Sequence, residues 1–190
     1  MTTVQELTGQ WGPPRDKPDA LYEFVNGQWK ETPRMGALAS LLAFELAAFL
    51  REFAKSRRLG LTMTETLFRL SPEGPARRPD LAFVAYERWP YPSGLTTDPP
   101  AFDVVPNLAV EVISPTNSGD EIIDKIRDYF FAGVQLVWVV YPRQRYIYVY
   151  TADDKVVILT EKGELDGGYV LPGFRLPLSN LFGVSTPPSA

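Results

Sequence analysis

Two carboxylates stand inside short apolar runs. Asp80 lies in Arg77-Arg78-Pro79-Asp80-Leu81-Ala82-Phe83-Val84, and Glu111 in Leu108-Ala109-Val110-Glu111-Val112-Ile113-Ser114-Pro115. Carboxylates are almost never buried unpaired, and a divalent cation is one partner that would neutralise both. Strand side chains alternate between faces, so Asp80 shares a face with Ala82 and Val84, and Glu111 shares one with Ala109 and Ile113. A lysine follows in Glu121-Ile122-Ile123-Asp124-Lys125-Ile126-Arg127. Two acids and an ammonium suit phosphodiester hydrolysis, which needs an aligned water and neutralisation of the charge that develops on the phosphoryl oxygens. The carboxylates would fix Mg²⁺, and Lys125 would add a positive point charge. Spacing alone does not single out that chemistry, because many α/β proteins carry an Asp and a Glu on strands.

Composition removes the alternatives that need other side chains. The 190 residues include no His and no Cys. An imidazole base, a Ser-His-Asp triad, a thiolate nucleophile, a disulfide and a zinc site built on those ligands are therefore all excluded. Any catalytic metal must be held by oxygen, which favours Mg²⁺, Mn²⁺ or Ca²⁺. The formal net charge of −4 leaves nucleic-acid contact to local patches, and the pairs Arg57-Arg58, Arg77-Arg78 and Arg143 with Arg145 read as ordinary solvated surface. No apolar run is long enough to span a bilayer and the first residues lack a signal-peptide pattern, so the expected compartment is the cytosol.

The elements that must position these residues follow from periodicity and punctuation. Residues 1 to 19 read as an irregular, proline-containing arm, residues 20 to 184 as one domain, and 185 to 190 as a tail. Leu21 to Glu31 carries Asn26-Gly27 between two extended runs, a hairpin signal. Ala37 to Arg58 predicts a helix stopped at Gly60, with Leu38, Leu41, Leu42, Leu46, Phe49, Leu50 and Phe53 as its apolar face. Glu45 projects within that arc and Glu52 near it, so Glu45 needs an ion pair, a metal or the rim of a cleft. The proline-rich stretch from Tyr86 to Pro106 predicts a long surface loop of the kind that borders clefts. Asp120 to Ala132 predicts a second helix closed by Gly133, burying Ile122, Ile123, Ile126, Tyr129 and Phe130. Lys125 sits on its shoulder, where its stem can follow the core while the ammonium turns toward the sheet. Three strands rich in Val, Ile, Tyr and Trp follow, at Gln135 to Tyr141, Arg145 to Tyr150 and Val156 to Thr160.

From about Leu21 to Phe182 the chain resembles the Uma2 family, restriction-endonuclease-like proteins within the PD-(D/E)XK nuclease superfamily. The matching residues are Pro79-Asp80 with Leu81 to Val84, Leu108 to Pro115, Asp124 to Tyr129, Ala132-Gly133-Val134, Val137 to Val140, and Leu171-Pro172-Gly173-Phe174-Arg175-Leu176. The resemblance puts Asp80 at the aspartate of the first half-motif and Glu111 at the acid of the second. The superfamily lysine stands two residues after that acid, where this chain has Ile113, and Uma2-like proteins supply it from the following helix at Lys125. Glu45 matches a glutamate that many superfamily members carry on their first helix. The aspartate that commonly precedes proline at the end of the third core strand is replaced here by Tyr141-Pro142.

These readings predict an α/β restriction-endonuclease-like core: a central mixed sheet, one helix on one face, and a crossover helix joining parallel strands. The expected function is cleavage of DNA phosphodiester bonds with Mg²⁺ or Mn²⁺ on Asp80 and Glu111, Lys125 stabilising charge and Glu45 assisting. Two other classes stay open: an inactive interaction protein on a nuclease fold, and a metal-dependent phosphoesterase for a small phosphate compound. Cutting both strands of a duplex suggests a homodimer, with Arg145 to Tyr150 offering an edge or face for pairing.

Overall fold

A computed structural model describes residues 11–17, 19–90, 99–115 and 117–184. The arm before Trp11, the middle of the proline-rich stretch and the C-terminal tail lie outside the described residues.

The first strands form a satellite sheet. β1 (Leu21–Val25) and β2 (Gln28–Thr32) make the predicted hairpin. Its turn residues Asn26 and Gly27 both take positive φ, 52° and 78°, which is the backbone a two-residue hairpin turn requires. Trp11 packs against Phe24 and Trp29, so this end of the arm is tied to the hairpin. Helix α1 (Ala37–Arg57) follows and leads into β3 (Gly60–Thr64). Gly60 does not cap the helix. Arg58 takes the left-handed cap at φ 55°, and Gly60 lies where a Cβ would meet the Val84 carbonyl oxygen at 2.1 Å. The glycine therefore serves the close pairing of β3 with the next long strand. Two short strands, β4 (Phe68–Arg69) and β5 (Ala76–Arg77), complete the satellite sheet in the order β2-β1-β5-β4.

The main sheet is mixed and has six strands, with β3 at one edge. Within it β6 (Leu81–Ala85) and β7 (Leu108–Val112) are antiparallel to each other and buried along their whole length. Helix α2 (Gly119–Ala132) connects β7 to β8 (Leu136–Tyr141), and those two strands run parallel, as expected for a crossover. Ser118 and Glu121 form a reciprocal capping box at its start, and Gly133 closes it at φ 97°. β9 (Tyr146–Ala152) and β10 (Lys155–Thr160) extend the sheet as a meander, which gives the order β10-β9-β8-β7-β6-β3. The chain ends on the hairpin β11 (Glu164–Asp166) and β12 (Arg175–Pro177) and on the short helix α3 (Leu178–Gly183).

Two cores sandwich the main sheet. One joins α1 and α3 to Leu81, Phe83, Leu108, Val110, Trp138 and Val140. The other joins α2, through Ile122, Ile126 and Tyr129, to Ala82, Val84, Ala109, Val137 and Val139. By strand alternation the face that carries Ala82 and Ala109 also carries Asp80 and Glu111, so the acids look toward α2 and away from α1. The predicted apolar arc of α1 is rotated in the structure. Ala39, Leu42, Ala43, Leu46, Leu50 and Ala54 are buried, while Leu38 and Leu41 are exposed. Alanines allow the helix to lie close to the sheet, and they carried little weight in the periodicity. The stretch before β7 is not simply surface either. Ala101 and Val104 are buried, and Phe102 bridges to Phe68 of β4.

Candidate active site

The register of β6 against β7 pairs Leu81 with Val110 and Ala82 with Ala109. Continued by one residue, it sets Asp80 directly across from Glu111, a position at which facing Cβ atoms stand about 5 Å apart. Asp80 Oδ2 accepts a hydrogen bond of 2.6 Å from the Val112 backbone N–H, fixing the carboxylate at the end of the shared ladder. From above, Tyr129 of α2 donates its hydroxyl to Glu111 Oε1 at 2.6 Å. One turn earlier, Lys125 donates to Glu111 Oε2 at 2.9 Å. The i, i+4 spacing of α2 thus clamps both oxygens of one carboxylate.

A third acid completes the cluster. Glu23 of β1 is 2% exposed and accepts from Lys125 at 3.0 Å, from Arg77 at 2.9 Å and from the Arg78 backbone N–H at 2.9 Å. Arg77 also reaches Asp128 of α2, at 2.5 Å. The arginine read as solvated surface is 5% exposed and ties the satellite sheet to the helix. Glu23 was legible by the same signal as Asp80 and Glu111, a lone acid in the apolar run Leu21-Tyr22-Glu23-Phe24-Val25.

The structure brings Asp80, Glu111 and Lys125 together and leaves Glu45 apart. Glu45 and Glu52 ride on α1, which packs on the opposite face of the sheet. The third acid of the cluster is Glu23, supplied by a hairpin and not by the first helix.

Burial and charge set the protonation of the group. Burial, reinforced by neighbouring Glu111, raises the Asp80 carboxyl to about 7. Burial also raises Glu111, against the opposing pull of Lys125. For Glu23 the desolvation is overcome by Lys125 and Arg77, which hold it below the usual range. Lys125 is raised, because Glu111 and Glu23 outweigh the burial that would discharge it, and it stays an ammonium. Four carboxylates, Glu23, Asp80, Glu111 and Asp128, thus face two cations, Arg77 and Lys125, leaving a net charge of −2 when all are ionised.

That deficit and the oxygen-only donors fit a hard divalent ion. Among the described residues no group of three or more His, Cys, Asp or Glu side chains forms a ready-made metal cage. An ion such as Mg²⁺, which keeps several waters and takes one or two protein carboxylates, needs no such cage. Asp80 and Glu111 are the two acids positioned to hold it. The cluster opens into a cleft of about 430 Å³ between the β1–β2 hairpin and the start of α2, and the proline-rich loop contributes none of its described lining. Lys30 of β2 pairs with Glu121 of α2 across this cleft.

The family model described as "Putative restriction endonuclease", Uma2, matches residues 5–179. The chain belongs to the Uma2 family. The fold agrees: the crystal structure of a putative nuclease belonging to DUF820 from Anabaena variabilis superposes with a TM-score of 0.75 at 18% identity, covering 85% of this chain and 89% of that one. At that identity the likeness shows the fold alone. No curated protein matches the sequence. Among the described residues no helix of this Uma2 chain is long and apolar enough to cross a membrane.

Proposed function

We propose that this Uma2 protein hydrolyses DNA phosphodiester bonds in the cytosol with Mg²⁺ or Mn²⁺, held by Asp80 and Glu111, and that it works as a homodimer. The observation that carries the reading is the Lys125 ammonium, 2.9 Å from Glu111 and 3.0 Å from Glu23 on the face that Asp80 shares. The displaced lysine therefore stands beside the second acid although the chain has Ile113 at the usual position. When bound, the ion would polarise a phosphoryl oxygen and lower the pKa of its water.

The protein's own groups have separate roles. Asp80 and Glu111 supply hard oxygen ligands. Lys125, kept charged by two acids, offers a fixed positive charge to the phosphoryl oxygens as negative charge grows there. Glu23 gives Lys125 a second carboxylate contact besides Glu111, and Arg77 holds Glu23. Tyr129 fixes the rotamer of Glu111. Preorganisation of this kind lowers the rearrangement needed in the transition state.

The test is cleavage of plasmid and oligonucleotide DNA with Mg²⁺ or Mn²⁺, comparing wild type with Asp80→Ala. Metal-dependent cleavage lost in the variant supports the reading, and cleavage that persists in EDTA rules out the metal mechanism. One observation favours a second reading, hydrolysis of a small phosphate compound. The cleft mixes signs, with Lys30, Arg34 and Arg78 set against Glu31, Glu65 and Asp124, and forms no uniformly basic trough. Hydrolysis of a small phosphodiester by a protein that leaves DNA intact would decide for it.

A further inference from the structure

The strand expected to offer an edge or face for pairing between copies has no free edge. β9, which contains Tyr146 to Tyr150, lies between β8 and β10. The edge of the main sheet is β10, and among the described residues no other strand pairs with its outer side. That edge is unusually apolar: Val156, Val157 and Ile158 are 43%, 60% and 49% exposed. Edge strands of this type normally carry central charges or prolines that block pairing, and β10 has neither.

We infer that β10 pairs antiparallel with β10 of a second copy of this chain, about a two-fold axis at Ile158, to give one continuous sheet. The register follows from symmetry. An antiparallel pair of identical edges is related by a two-fold axis normal to the sheet, which keeps each copy's faces on their own sides. Residues directly opposite must share a face, so the axis passes through a pair of identical residues.

Three centres keep most of the strand paired. Centring on Val157 sets Asp153 against Glu161, a like-charge pair. Centring on Leu159 sets Val157 against Glu161 and Val156 against Lys162. Centring on Ile158 sets Ile158 against itself, Val157 against Leu159 and Val156 against Thr160. It also sets Lys155 against Glu161 and Asp154 against Lys162, twice each by symmetry. Asp154, Glu161 and Lys162 flank the strand, so these charges meet at the two ends of the paired edges, where opposite signs favour the pairing and like signs oppose it; the Ile158 register is the one with opposite signs at its ends. Glu161 also pairs with Arg145 of its own chain, whereas Asp154 and Lys162 are exposed on turns flanking the strand. Because the axis is normal to the sheet, both clefts open on the same face of the assembly.

The test reads mass and not activity, so it stands or falls separately from the phosphodiesterase reading. In sedimentation or light scattering at tens of micromolar, wild type should run at twice the 21.3 kDa chain mass. Ile158→Lys places two ammonium groups at the axis and should weaken the dimer at least tenfold. Since Ile158 is half exposed, the variant should keep the wild-type circular dichroism. Asp154→Lys should weaken the dimer through repulsion from Lys162 across the interface, and adding Lys162→Asp should restore it. This exchange on exposed turn residues decides the matter even if Ile158→Lys misfolds. A monomeric wild type overturns the inference, and so does a dimer equally tight in the Ile158→Lys and Asp154→Lys variants.

Discussion

Among the described residues Asp80 has one backbone donor to offset its burial, and the charge that acts on it most strongly is another acid, Glu111. Its carboxyl is raised to about 7 from an ordinary 3.8. The folded, metal-free protein therefore keeps a proton that the unfolded chain has released between about pH 4 and pH 7. Stability from this group is full below pH 4 and is lost as pH rises through 7. Asp80→Asn keeps an acceptor for Val112 and removes the charge, so in EDTA it should melt several degrees above wild type at pH 8 and level with it at pH 4. About 1 kcal/mol moves the midpoint by about 2–4 °C in a chain of this size. A wild type as stable as the variant at pH 8 would contradict the burial argument. Added Mg²⁺ should raise the wild-type midpoint at pH 8 and leave that of Asp80→Asn nearly unmoved.

The same cluster predicts strong coupling between Glu23 and Lys125. Lys125→Met leaves Glu23 and Glu111 buried without the cation they share, a loss of about 3–5 kcal/mol. Glu23→Gln removes one of the two acids. Urea unfolding of the double variant should therefore show less destabilisation than the two single losses added together, by about 1–3 kcal/mol. Additive losses would mean that the 3.0 Å contact carries no energy.

At the scale of elements, what could be read from the sequence was whatever depends on local chemistry. The Asn26-Gly27 hairpin, α2 with its Gly133 stop and the parallel β7–β8 pair all follow from turn residues and periodicity. Close approach of backbones leaves no such pattern. Gly60 looked like a helix stop because glycine commonly is one, yet its role is set by β6, over twenty residues away. Gly60→Ala should cost about 2–3 kcal/mol, because its Cβ would lie 2.1 Å from the Val84 carbonyl oxygen and the neighbouring strand would have to move. Gly119→Ala, where a Cβ meets nothing within 4 Å, is the neutral control. Chemical denaturation with an unchanged m-value separates the two outcomes. The rotation of α1 has a similar origin. Leucine periodicity located the helix, but Ala39, Ala43 and Ala54 determine which side lies against the sheet.

Across the whole molecule, the layer in which an element lies decides which residues can meet. Asp80, Glu111 and Lys125 were legible because strand alternation and one helix turn are short-range geometry. Glu23 against Glu45 was not, because the choice depends on α1 and the hairpin lying on opposite sides of the main sheet. The same global view limits how DNA could bind. The chain carries a net charge of −4, and outside the buried cluster the cations lining the cleft are Lys30, Arg34 and Arg78. Each phosphate neutralised on duplex DNA contributes about −0.9 to the slope of log K against log salt. Binding through this cleft should therefore show a slope of about −3 per protomer, measured by fluorescence anisotropy with Ca²⁺ replacing Mg²⁺ to suppress cleavage. Substituting Arg34 and Arg78 together by Gln should flatten it to about −1. A slope of about −6 or steeper would place the nucleic acid on another surface of the protein. No measurable binding, together with hydrolysis of a small phosphodiester, would assign the cleft to a compact substrate whose phosphate reaches Lys125 without a basic track to guide it.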